Sequence, residues 1–500
     1  MSEIKVTDNK LFIALLCVLV WLPLPFGSNR PWAEAIFELA MFVIVWVWLV
    51  SFYSGKLTIS APFIAARWVL TILLVWCGYC LLQLCPLPLS LRLLISPNNT
   101  QMYLQAGVTS WAPLSLYPYA TFLFFLRSTA YLILFGLLLL LVNTRHRLVL
   151  LGYTLVFSGV FQACYGSIMT LSGLEYGFFI PKIANIGVAS GTYINRNHLA
   201  GYLEMVSAVG IGLLLATTST SVHARNWRQR LRNFIHLLLS QKLILRLMLA
   251  TMVIALVLTR SRMGNTGFFS SMLVAGFFTL LAFRTQASSF KDMFSRNDTR
   301  SAVLLLSSLM IIDIFIVGAW FGVEKVADRI SESSLAHDAD RVDISVNSLN
   351  VLKDYPLTGS GGGTFHAVFP RYRVADIGAY FDHTHEDYLE ITADTGAIGL
   401  VLLATVVILS LFAALFALFR RRDRLMRGMA FASIMGVTAI LIHSTVDFNL
   451  QIPANAATFM VLLALAWIAL SMDRASEISH ASRSAHNKHH KLHPTASVTQ

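Results

Sequence analysis

The chain has 500 residues, of which 56% are hydrophobic and only 13% charged, and its mean hydropathy is +0.66. An ordinary soluble domain is about one quarter charged, so this composition excludes one. The net charge of +12 does not point to nucleic acid, because lysines and arginines sit in short clusters between apolar runs rather than on one face.

Apolar runs long enough to cross a hydrocarbon core recur along the chain, and a helix satisfies its own backbone there. The sequence therefore predicts an all-α, polytopic integral membrane protein with about 12 transmembrane helices. The expected spans are 11–26, 32–53, 62–85, 120–142, 147–172, 198–217, 243–259, 265–283, 302–322, 396–419, 427–446 and 453–472. The first run carries Trp21, Pro23 and Pro25 and lacks a small-residue cleavage site, so it does not read as a signal peptide. Cys17, Cys77, Cys80, Cys85 and Cys164 all lie in or beside spans and read as small packing residues, not as a disulfide frame or a zinc site.

Orientation follows from the basic loops. Arg145 and Arg147, the cluster Arg225 to Arg232, the stretch Arg284 to Arg300 and the run Arg420 to Arg427 fall on one side by alternate crossings. The positive-inside rule makes that side cytoplasmic, together with both termini. Loops 86–119, 173–197 and 323–395 then face outward. The organisation expected is spans one to nine within 1–322, a large outward loop at 323–395 with short amphipathic helices, spans ten to twelve within 396–472, and a disordered His-rich tail at 473–500.

The polar positions are few. Loop 86–119, rich in proline, reads as extended and wet and is assigned no chemistry. Arg127 stands inside the fourth span, where insertion costs about 2.5–3.5 kcal/mol, so it either snorkels to the interface or faces the bundle interior. Loop 173–197 ends in Asn195-Arg196-Asn197-His198. One asparagine suffices to cap the next helix, and the further polar groups with Arg196 make its N-terminus a candidate anion site. Arg260 and Arg262 occupy a tight outward turn, against the charge bias, and guanidinium forks suit phosphate.

In the large loop, Val342, Val346, Leu349 and Leu352 follow helical spacing until Pro356. The glycine run 359–363 lacks the Lys-Ser/Thr of a nucleotide loop and reads as a flexible turn. The loop closes on His383-Thr384-His385-Glu386-Asp387-Tyr388, the densest set of titratable groups beside the bilayer. A neutral histidine there can take a proton from a hydroxyl while arginines hold a departing diphosphate. His383, His385 and Asp387 also suggest a zinc hydrolase, which would need a further ligand from elsewhere. The remaining alternative is a twelve-span transporter or flippase of a lipid-linked or anionic substrate. It would place its ionisable groups near mid-membrane in two repeated halves; here they collect on one face.

The run Asn-Arg-Asn-His-Leu-Ala-Gly at 195–201, Ser-Arg at 261–262, Pro-Leu-x-Gly at 356–359, His-x-Asp-Tyr-Leu at 385–389 and Thr-Gly-Ala-Ile-Gly at 395–399 together resemble the O-antigen ligase and polymerase superfamily. The resemblance spans about 150 to 450. It implies a GT-C-type, metal-independent glycosyltransferase without a cofactor. Such an enzyme moves glycan from undecaprenyl diphosphate to an acceptor hydroxyl on the outer face of the inner membrane, as polymerase or ligase in surface polysaccharide assembly. The acceptor is then a growing glycan or a lipid core, and the partners are membrane lipids, a flippase and a chain-length regulator. The family's base falls on His385 and its diphosphate-holding arginine on Arg262, with Arg260 and Arg196 assisting. Asn195, Asn197, His198, His383, Glu386, Asp387 and Tyr388 are supporting or acceptor-side candidates. Glu386 departs from the family pattern, and as a neighbouring carboxylate it is expected to favour the imidazolium form of His385.

Overall fold

A computed structural model describes residues 2–217, 241–285, 334–373 and 382–472. The expected span at 302–322, the basic stretches at 225–232 and 291–300 and the His-rich tail lie outside the described residues. Sixteen helices follow in order: α1 Ser2–Trp21, α2 Pro31–Tyr53, α3 Ala61–Ala65, α4 Arg67–Leu84, α5 Leu89–Ile95, α6 Pro97–Gln105, α7 Pro118–Leu141, α8 Arg145–Leu171, α9 Arg196–Ala216, α10 Gln241–Leu258, α11 Arg262–Thr285, α12 Ser334–Asp354, α13 Phe365–Val368, α14 Asp387–Arg420, α15 Arg424–His443 and α16 Pro453–Ser471. No strand occurs among the described residues.

Nine of these helices are long and apolar enough to cross a membrane: α2, α4, α7, α8, α9, α11, α14, α15 and α16. The protein is thus an all-helical integral membrane protein. Helices also stand where the first and seventh spans were expected, as α1 and α10.

The bundle is built around α9, α15 and α16, which are buried almost throughout. Apolar attraction does not hold helices together in lipid, so close packing must, and small residues permit it. Gly212 of α9 and Gly428 of α15 show this directly. A Cβ on Gly212 would lie 2.3 Å from the Gly428 carbonyl oxygen, and a Cβ on Gly428 would lie 2.2 Å from that of Gly212.

One end of the bundle is basic. Arg145 at the start of α8 pairs with Asp423, the N-cap of α15, and Arg147 pairs with Asp8 at 2.7 Å. Arg421 caps the last carbonyls of α16 through Met472 (3.1 Å) and Leu470. Arg127 has a partner: its guanidinium lies 3.6 Å from Glu34 of α2, so it forms an ion pair between α2 and α7.

The opposite end carries the loops, and two expectations fail there. Residues 86–117 are not extended and wet. They fold as α5 and α6, with Arg92 buried over Tyr103 and bonded to the Ser110 carbonyl. Asn99 reaches the carbonyls of Leu114 and Gly359, and the Leu116 amide bonds Ser360. The glycine run is likewise no flexible turn. The amides of Gly363, Thr364 and Phe365 converge on the Asp394 carboxylate at 2.8, 3.1 and 2.9 Å. Successive amides in such a turn form a concave anion cradle, and the anion here is a side chain of α14. Gln83 and Tyr79 of α4 bond the carbonyls of Thr358 and Thr395 from below.

α14 begins at Asp387, well before the expected span start at 396, and breaks at Gly396 (φ 65°, ψ −172°), a backbone region only glycine enters readily. Residues 387–395 are therefore a separate helical segment, held by the cradle and aimed at the neighbouring helix ends.

Candidate active site

Four chain segments converge at the loop end: the first turns of α9, α11 and α14, and residues 444–452 between α15 and α16. Their centre is a side chain that sequence reasoning passed over, Phe448. The His383 ring stacks on it at 4.3 Å and 20°. His385 meets it edge-on at 5.0 Å and 74°, and His198 does so at 4.7 Å and 77°. Three histidines from two distant stretches thus share one aromatic ring.

The 382–390 segment owes its shape to Glu390. Its carboxylate bonds His383 Nδ1 at 2.7 Å and accepts the Thr384 amide at 2.9 Å, reaching back over the start of α14. The Thr384 hydroxyl adds a tight turn, bonding the Glu386 carbonyl at 2.6 Å and accepting its amide at 3.1 Å. The turn leaves His385 with φ at +60°, a left-handed conformation that is uncommon for a residue with a Cβ and costs of order 1 kcal/mol or more. Burial works against a charged His383, but the Glu390 carboxylate and its hydrogen bond outweigh that. Arg127 opposes the charge and Asp382 adds to it, and the net pKa is raised. The Glu390 carboxylate thus favours the charged form of His383. Burial raises the carboxyl of Glu386 itself, the N-cap of α14.

Asp387 and Tyr388 have structural partners. Asp387 Oδ2 accepts from the Ser444 hydroxyl at 2.6 Å and the Leu450 amide at 3.1 Å, while its own amide bonds the carbonyls of Ser444 and Asp447. Tyr388 donates to the Leu441 carbonyl at 2.7 Å. These bonds pin the start of α14 to the end of α15, and among the described residues no group of three His, Cys, Asp or Glu side chains is placed to hold a metal ion.

Beneath the histidines lies a chain of buried acids and imidazoles. Glu204, fully buried on α9, bonds His443 Nδ1 at 2.8 Å. His443 Nε2 lies 3.7 Å from Asp447, whose other oxygen lies 3.8 Å from His198 Nε2. Burial pushes the Asp447 carboxyl up, but His198, His443 and the Phe448 amide outweigh it and hold it far below the usual carboxylate range. Room for Glu204 comes from α11: a Cβ on Gly264 or Gly267 would lie 3.2 or 2.9 Å from its carboxylate oxygens. None of Glu204, His443 and Asp447 was singled out from sequence. The signal was the polar run His443-Ser444-Thr445-Val446-Asp447-Phe448-Asn449, too rich in hydrogen-bonding groups for a mere connection between two spans.

The arginine turn borders the same end. Ser261 accepts the Gly264 amide at 3.2 Å and Thr259 accepts the Ser261 amide at 3.1 Å, so both hydroxyls shape the turn. Arg260 is left-handed at φ 53°. Arg262 opens α11 and is exposed, and among the described residues neither guanidinium has an ion-pair partner. Gly264 packs on Ala200, bringing the first turns of α9 and α11 together, so Arg196 and Arg262 open adjacent helices. Asn195 is spent on capping: its side chain accepts the Asn197 amide at 2.9 Å.

Residues 247–404 match the family model for O-antigen ligase. The matched stretch takes in both arginines of the 260–262 turn, the glycine cradle, and the segment from His383 to Asp394. No curated protein matches the chain.

Proposed function

We propose that this integral membrane protein, whose residues 247–404 match the O-antigen ligase family model, is a glycosyltransferase that takes glycan from undecaprenyl diphosphate and gives it to an acceptor hydroxyl. The observation that supports this reading is that His385 and His198 rest on one ring, Phe448, at the end of the bundle where Arg196 and Arg262 open adjacent helices. His385, held edge-on to Phe448 by a left-handed turn, takes the proton of the acceptor hydroxyl. The hydroxyl oxygen bonds the anomeric carbon as the bond from that carbon to the diphosphate breaks. Undecaprenyl diphosphate leaves with the electron pair, and Arg262, with Arg260 and Arg196, bears its charge by bidentate contacts. Helix N-termini at α9 and α11 add their partial positive charge.

His383, clamped by Glu390, shapes the approach, and the step uses side chains of the chain alone. The acceptor, a growing glycan or a lipid core, decides between polymerase and ligase. The basic end at Arg145, Arg147 and Arg421 supports placing the other end, with the site, at the periplasmic face of an inner membrane. In a background without native cysteines, cysteines at Trp111 and Arg422 should label from opposite sides with an impermeant thiol reagent.

The decisive assay is transfer from defined undecaprenyl-diphosphate glycan by purified protein in lipid. His385→Ala should lose about 10²–10⁴-fold in rate, the usual worth of a general base, while donor still binds. Full turnover in that variant would refute the assignment.

A further inference from the structure

Loop 173–195 carries a surface that the reaction does not use. Phe179, Ile180, Ile183 and Ile186 are exposed, Ile183 at 99% of its full area. A soluble loop seldom presents such a patch, and one of this kind marks a binding surface. The loop is not loosely hung. Tyr165 of α8 bonds the Gly177 carbonyl, Phe178 packs edge-on to Phe26 between α1 and α2, and the Asn185 side chain bonds the Ile194 carbonyl at 3.1 Å.

Two features say what covers the patch. It continues the outward stripe of α8, where Phe157, Phe161, Ile168 and Leu171 recur at helical spacing and Leu174 extends the line into the loop. That stripe belongs to a membrane-crossing helix and faces away from the bundle. The loop's charges are also turned inward. Lys182 bonds Glu175 at 2.7 Å and the Val188 carbonyl at 3.0 Å, and Glu175 also accepts the Gly187 amide at 2.8 Å. The exposed side is left without an ion. At the same end, Trp32, Trp111 and Tyr119 stand exposed beside the starts of α2 and α7, as aromatic side chains do at a membrane–water interface.

We propose that loop 173–195 is seated in the membrane interface, with Phe179, Ile180, Ile183 and Ile186 among the lipid headgroups and upper acyl chains. The occupant of the patch is the bilayer itself. Because the loop runs directly into Asn195 and Arg196, its seat fixes the start of α9 at headgroup depth. The inference needs only a membrane-spanning chain and stands whether or not the protein transfers glycan.

A test places an environment-sensitive dye on Ile183→Cys, with Ile186→Cys as a second position and Gln105→Cys, exposed on α6, as the aqueous reference. The native cysteines are replaced and the protein is held in lipid nanodiscs, where both faces meet solvent. The loop dyes should emit to the blue of the reference and lose most fluorescence to lipids carrying a doxyl quencher near the headgroup, less to deep doxyl, and least to aqueous iodide. Iodide quenching at Ile183→Cys and Ile186→Cys equal to that of the reference would overturn the proposal, as would blue emission that no doxyl lipid quenches, which would mean a protein partner or a second copy covers the patch.

Discussion

Gly359 and Gly396 interlock across the loop end of the bundle, each lying against the backbone that precedes the other. A Cβ on Gly359 would fall 2.2 Å from the Asp394 carbonyl oxygen, and a Cβ on Gly396 would fall 2.1 Å from that of Leu357. Both have positive φ, at 69° and 65°. The amides of Ala397 and Gly361 complete the lock on Pro356 and Asp394 at 2.9 Å each. Here the backbone itself is the obstacle, so no side-chain rotation relieves it. Gly359→Ala and Gly396→Ala should each destabilise by more than about 3 kcal/mol, the range of strain at special backbone positions combined with overpacking. Thermal unfolding in detergent should show both midpoints well below that of Gly55→Ala, whose added Cβ meets nothing within 4 Å.

That lock shows how the sequence was legible. Pro356 to Gly359 and Thr395 to Gly399 were visible as short motifs, and the helical membrane fold was visible in the apolar runs. Their meeting was not, because the cradle, α13 and the first segment of α14 lie between them in the chain, and no local pattern reports a contact of that range. The same holds for Glu204. Read along α9 it is one acid in an apolar run, and only the glycine face of α11 and His443 of α15 make its burial intelligible. The Asn195 cap, by contrast, was legible because cap signals are local.

Glu204 should matter to stability more than its distance from the site suggests. Removing one member of a buried pair leaves the other uncompensated, which costs about 3–5 kcal/mol. Glu204→Ala should therefore lower expression and thermal midpoint sharply. Glu204→Gln keeps an acceptor for His443 and should lose less. Equal midpoints for Glu204→Ala and the native protein would mean that His443 finds another partner.

The His383–Glu390 pair predicts a pH dependence with a definite sign. His383 has its pKa raised in the folded protein above the ordinary 6.5. A group raised on folding contributes stability that is fully present below its unfolded value and is lost as pH climbs through the folded one. The thermal midpoint should thus fall as pH is raised above about 6.5. In Glu390→Gln, which keeps a hydrogen bond but removes the charge, that part of the fall should vanish. A native midpoint that rises over this window would contradict the pairing.

At the turn, Arg262→Lys keeps the charge and loses the fork that grips two phosphate oxygens. Transfer should drop by at least about tenfold, with an increase in KM for the lipid-linked donor, since a charged hydrogen bond contributes about 1.5–3 kcal/mol. Arg262 is exposed and opens its helix, so the variant should fold normally. Native kinetics at native protein levels would make the turn an anchor only.

Phe448 offers the most discriminating substitution, because it exchanges no proton or bond in the proposed step yet packs against His385, His383 and His198 at once. Its own backbone is held independently: the Phe448 amide bonds the Asp447 carboxylate at 2.9 Å, and the Asp387 carboxylate holds Leu450 two residues on. Phe448→Leu keeps the site apolar and nearly filled while removing the flat ring against which the imidazoles rest. A misplacement of about 1 Å at a catalytic group can cost about 10²-fold in rate. The variant should accordingly lose kcat by about that factor with KM for donor nearly unchanged, since the arginines lie on other helices. Phe448→Tyr retains the ring and should recover most of the rate. If leucine and tyrosine reduce kcat alike while the thermal midpoint of each falls equally, the ring serves packing alone and His385 is positioned by its own turn.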